Sequence, residues 1–96
     1  MEKQLWKPEN MIYPLPAVMV SAGDADGNTN IITVAWTGTI CTNPAMAYIS
    51  VRPERYSYEM IRSSGEFVIN LTTKDLVHAT DYCGINGWSG PRITAA

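Results

Sequence analysis

Apolar positions fall in short runs separated by turn residues, with no long stretch at helical spacing. Residues 17–22 are one such run, followed by Gly23-Asp24-Ala25-Asp26-Gly27-Asn28, in which Asp26-Gly27 signals a tight reversal. From Asn30 to Trp36, Ile32, Val34 and Trp36 alternate with Ile31, Thr33 and Ala35. Both faces are largely apolar, as in a central strand of a barrel or sandwich. The two runs predict a β-hairpin.

Residues 37–43 are small and polar and are closed by Pro44, which reads as a loop. Residues 45–51 predict a third strand, ended by Arg52-Pro53-Glu54-Arg55. Residues 57–63 suit a short helix with Gly65 just past its end and Tyr58 and Ile61 on its buried face. Residues 66–71 predict a fourth strand, with Phe67, Ile69 and Leu71 inward. Thr72-Thr73-Lys74-Asp75 has the form of a capping box that opens a helix through about Tyr82. The predicted order is β-β-β-α-β-α. Residues 1–16, with Pro8, Pro14 and Pro16, read as an extended arm, residues 17–84 as one domain, and residues 85–96 as an irregular tail.

Composition narrows the class. A chain of 96 residues holds one domain and buries only roughly 60–68% of its unfolded surface, so a partner subunit would help it. The apolar fraction of 46% is too high for disorder. Seven Lys or Arg against nine Asp or Glu leave no basic excess for nucleic acid. No apolar run approaches the about 20 residues that span a bilayer, and the opening residues lack a signal peptide's apolar centre, so the expected home is the cytoplasm. Cys41 and Cys83 form no CxxC pair and read as free thiols, and one histidine beside them makes no zinc site. Asp24-Ala25-Asp26-Gly27 lacks the later ligands of a calcium loop and reads as a turn.

Candidate chemistry sits in two segments. In Ser50-Val51-Arg52-Pro53-Glu54-Arg55-Tyr56-Ser57 a strand ends in a loop with two arginines and feeds into a helix start. Unpaired N–H groups there, with Arg52, Arg55 and the Ser57 hydroxyl, suit a phosphate. Two solvated arginines and a serine N-cap explain the same residues. In Ala35-Trp36-Thr37-Gly38-Thr39-Ile40-Cys41-Thr42, a strand end rich in Thr and Gly offers hydroxyls and N–H groups to the edge of a flat heteroaromatic ring. Trp36 either lines such a ring or belongs to the core. No catalytic dyad is visible: His78 reads as a solvated helix residue, Glu54 and Glu59 as surface charges, and Cys83 as following a helix C-terminus that disfavours a thiolate.

Taken in order, further segments join these two. They are Tyr13-Pro14-Leu15-Pro16, Asn30-Ile31-Ile32-Thr33-Val34-Ala35-Trp36-Thr37-Gly38, Pro44, Ser50-Val51-Arg52-Pro53 and Tyr56-Ser57-Tyr58. Gly65-Glu66-Phe67-Val68-Ile69-Asn70-Leu71 and Ala79-Thr80-Asp81-Tyr82-Cys83-Gly84 follow. From about Tyr13 to Gly84 the chain closely resembles the flavin reductase-like family, in its flavoredoxin-type branch. The resemblance implies a mainly β, FMN-binding split β-barrel of Greek-key type with short helices, usually a homodimer with flavin near the subunit interface.

By position, the resemblance implies that Ala35, Trp36, Thr37, Gly38 and Thr39 approach the isoalloxazine ring. Ser50, Val51 and Arg52 would follow the ribityl chain, and Arg55, Tyr56 and Ser57 would hold the phosphate. Cys83 falls where such proteins often carry a cysteine close to the flavin. NAD(P)H would donate hydride to FMN, and electrons would pass to an unspecified acceptor. Family domains are substantially longer, and past Gly87 this sequence looks unlike their continuation, which implies an incomplete barrel with open sheet edges. Two other functions fit the residues: a non-catalytic flavin-binding electron carrier, and a small β-barrel interaction domain binding an acidic or phosphorylated partner.

Overall fold

A computed structural model describes residues 2–85. Residues 2–17 contain neither strand nor helix and lie exposed. Then come β1 (Val18–Gly23), β2 (Thr29–Val34), β3 (Thr37–Cys41), β4 (Met46–Ile49), α1 (Tyr56–Ser64), β5 (Val68–Leu71), a single 3-10 turn (Lys74–Leu76) and α2 (Val77–Ile85). Of the expected tail, Ile85 ends α2, and residues 86–96 lie outside the described residues.

The predicted hairpin is present. β1 pairs antiparallel with β2, Val18 opposite Val34 and Val20 opposite Ile32. Its turn is held by Asp24, whose Oδ1 accepts from the amides of Asp26 and Asn28, each at 3.0 Å. Gly27 sits at φ 84°, a left-handed conformation that glycine adopts without a Cβ clash. Those bonds hold the Asp24 carboxyl below its ordinary range, the largest cause being the Asn28 side-chain amide. β5 pairs antiparallel with the other side of β1 and gives the sheet order β2-β1-β5.

That sheet is covered on both faces. Val18, Val20, Ile32 and Val34 share one face and pack against Ile49, Val51, Ile61 and Ile69, which come from β4, its following loop, α1 and β5. Full burial of Val20 alone contributes roughly 1.5–3 kcal/mol relative to exposure. The opposite face meets α2, where Thr33 Oγ1 donates to the Thr80 carbonyl and Cys83 is buried.

Several boundaries differ from the sequence reading. The expected loop at 37–43 contains β3, which forms a two-stranded sheet with β4, Thr37 opposite Ile49 and Gly38 opposite Tyr48. Its Thr residues are β-branched and suit a strand, and a partly exposed ribbon needs no apolar alternation. The third strand is confined to 46–49. The capping box does not form: Thr73 precedes the 3-10 turn without a side-chain cap, and Thr72 Oγ1 donates instead to the Ala17 carbonyl at 2.7 Å. Leu71, expected inward, is 80% exposed because β5 is an edge strand. Among the described residues the strands make two open sheets and no closed barrel.

Candidate functional site

The break at Pro53 leaves Arg52 to Arg55 as a turn, closed by the Arg55 amide donating to the Arg52 carbonyl at 3.0 Å. α1 follows at Tyr56, with Arg55 at its N-cap in an extended conformation (φ −76°, ψ 142°) and no side chain capping the first turn. Its end is as expected: Gly65, at φ 74°, donates its amide to the Ile61 carbonyl at 2.8 Å. Ser57 is therefore the second helical residue and not the N-cap. It is fully buried, and its Oγ accepts from Asn30 Nδ2 at 2.8 Å.

Just past β4, the Ser50 amide donates to the carbonyl of Trp36, in the bend between β2 and β3, at 2.9 Å. This contact and the arginine turn enclose a hollow of about 210 Å³. Its walls are Ile32, Thr33, Val34, Ala35 and Trp36 on one side and Ser50, Val51, Arg52 and Arg55 on the other. Trp36 is 43% exposed and so stands at the rim, not in the core. A second hollow, of about 260 Å³, shares Ala35 and Trp36 and continues past Thr37 and Tyr48 to the N-terminal arm at Met11, Ile12 and Leu15.

The two guanidiniums are held differently. Arg52 is exposed and pairs with Glu54 at 2.6 Å. Arg55 is half-buried and donates through one Nη to the Gly84 carbonyl at 3.3 Å, in the last turn of α2. The negative end of that helix's dipole favours the contact. Both keep further N–H groups, since guanidinium has five.

Of the residues expected at the site, the first hollow brings together Ala35, Trp36, Ser50, Val51, Arg52 and Arg55. Thr37, Gly38 and Thr39 lie outside it on β3. Thr37 lines the second hollow and donates its hydroxyl to the Tyr48 carbonyl at 2.9 Å. Gly38 faces the Tyr48 ring so closely that a Cβ would come within 3.0 Å of it. Tyr56 is 65% exposed beside Arg55. Cys83 does not follow α2 but lies buried in its last turn, outside the lining of the hollow, and burial pushes its thiol up. Tyr48 and Asn30 were not singled out from the sequence. For Asn30 the signal was an amide opening an otherwise apolar strand, whereas Tyr48 gave none, since its place opposite Gly38 depends on the pairing of β3 with β4.

The residues fit the two ends of a flavin nucleotide chemically. Two guanidiniums and a first turn without a side-chain cap suit a phosphate, and an indole at the rim suits a flat ring. The enclosed volume lies below the roughly 300–1,000 Å³ of typical ligand pockets, so this part of the chain walls only a portion of such a ligand.

Comparisons with known proteins bear on the family and the fold. The chain is 34% identical to flavoredoxin of Desulfovibrio vulgaris (Miyazaki F), with a TM-score of 0.79 over 94% of this chain and 48% of that one. With flavoredoxin from Methanosarcina acetivorans it shares 28% identity and a TM-score of 0.73 over 86% of this chain and 45% of that one. Uncharacterized proteins of Aeropyrum pernix and Pyrococcus abyssi match at 32% and 24% identity over 79% and 70% of this chain. The chain spans 28% and 38% of those two proteins. The flavin reductase like domain matches residues 11–95, so the divergence expected past Gly87 is corrected: the match crosses that segment. The chain belongs to the flavin reductase-like family.

Proposed function

We propose that the hollow between the ends of β2 and β4 takes the phosphate-bearing half of FMN, and that the protein works as a flavin reductase-type oxidoreductase. One observation carries this reading: a backbone-closed turn sets Arg52 and Arg55 on the rim of the hollow that Ala35 and Trp36 also line. When bound, FMN would supply the redox chemistry, a two-electron exchange between NADH or NADPH and an acceptor.

The chain's own residues bind and orient. Arg52 and Arg55 hold the phosphate, with Tyr56 flanking it, while Ser50 and Val51 run beside the ribityl chain. Ala35 and Trp36 meet the ring, whose edge extends toward Thr37, Gly38 and Thr39. Among the described residues, Arg52 and Arg55 are the charged side chains of the lining, so the residues present there serve to bind and orient. A homodimer with flavin near the subunit interface would supply walls that a hollow of about 210 Å³ lacks.

Titration of the purified protein with FMN, read by flavin absorbance and by mass spectrometry of the native protein, tests the binding. Stoichiometric uptake is expected, followed by oxidation of NADH or NADPH when FMN is present. Colourless protein that ignores added FMN contradicts the reading, and bound flavin without nicotinamide oxidation leaves an electron carrier. The exposed Arg52 also suits an acidic or phosphorylated partner; a native ligand other than flavin would favour that interaction-domain reading.

A further inference from the structure

The face of β2 that lines the hollow through Ile32 and Val34 also carries Asn30, two residues earlier. Asn30 is 4% exposed and Ser57 is fully buried, and the 2.8 Å bond between their side chains joins the start of β2 to the first turn of α1. A buried polar pair of this kind fixes geometry, because the bond between the two side chains holds the strand and the helix at one separation. Ser57 is two residues from Arg55, and Arg55 is bonded through its amide to Arg52. The helix start therefore has no side-chain cap of its own, yet it is tied to the sheet from inside.

We propose that Asn30 and Ser57 are positioning residues, which set Arg52 and Arg55 for a phosphate through the first turn of α1 and do not touch the ligand. This rests on the flavin reading above. The geometry distinguishes it from a direct role for the serine, since a fully buried residue whose hydroxyl meets Asn30 presents no surface to a ligand in the hollow.

The test compares dissociation constants of FMN and riboflavin, which differ by the phosphate alone, on the full 96-residue chain. Asn30→Ala and Ser57→Ala should each lower the preference for FMN by about fivefold, the scale of one buried hydrogen bond, while riboflavin binding stays within about twofold. The double variant should lose no more than the worse single, because both remove the same tie. If Asn30→Ala does not fold, Asn30→Ser, whose side chain is too short to span the gap, carries the same expectation.

An unchanged FMN preference in the Asn30 variant would overturn the inference, as would FMN and riboflavin weakening in parallel with a fallen Tm. Losses that multiply in the double variant would overturn it too, showing the serine to act independently. Wild-type protein that binds neither flavin, or both equally, removes instead the reading beneath it.

Discussion

The amide of Ser50 donates to the carbonyl of Trp36 at 2.9 Å, carrying the β3–β4 pairing one step past Thr37 and Ile49 into the bend that links β2 to β3. Strand ends are where backbone groups lose their ladder partners, and this bond satisfies two such groups at the end of the β3–β4 ribbon nearest β2. It also places a rim indole opposite the chain segment that leads into Arg52. In the proposed flavin site, the ring and the anion would thereby be met by neighbouring parts of one hollow.

Trp36 is expected to contribute ring contact and nothing to the phosphate. Trp36→Ala should weaken FMN and riboflavin equally, by about tenfold each. Because the side chain is 43% exposed, the melting temperature should change little. Equilibrium titration of both flavins, with a thermal melt alongside, checks this.

Glu54 is a competitor for the anion. It holds Arg52 at 2.6 Å on an exposed surface, where such pairs are worth roughly 0.2–1 kcal/mol. Glu54→Gln should free the guanidinium and tighten FMN about twofold at low salt, with the gain fading as ionic strength rises. Riboflavin affinity should not move. Titrations at two salt concentrations read the difference.

Cys83 gives the fold a dependence on alkaline pH. Its folded-state value is raised, so at pH below the ordinary thiol value both folded and unfolded chains keep the proton and stability is intact. Above that value the unfolded chain ionises first, and stability declines across the window up to the raised value. Cys83→Ser should blunt this alkaline loss in denaturant titrations. In the folded protein, half-buried Cys41 should be alkylated first, and Cys83 only on unfolding.

How far the sequence could be read follows from what each residue contacts. The β1–β2 hairpin was legible because Val18, Val20, Ile32 and Val34 alternate toward one core and Asp24 and Gly27 close a turn that needs few other choices. β3 was not, because Thr37 and Thr39 sit on a ribbon open to water, where pattern carries no signal. The arginine turn was legible from Pro53 and the helix beyond it. The inward turn of Ser57 was hidden, since its partner Asn30 lies 27 residues away and only the packing of α1 on β2 brings them together. Cys83 was misplaced for a similar reason: α2 runs to Ile85, through a glycine at 84 that reads as a stop.

The most direct test of the account is the ratio of riboflavin to FMN dissociation constants in the wild-type chain and in the paired variant Arg52→Ala/Arg55→Ala. Charge-assisted bonds from two guanidiniums predict that the wild type favours FMN by at least about tenfold and that the variant loses most of this preference while still binding riboflavin. A preference for FMN that survives removal of both arginines would contradict the account.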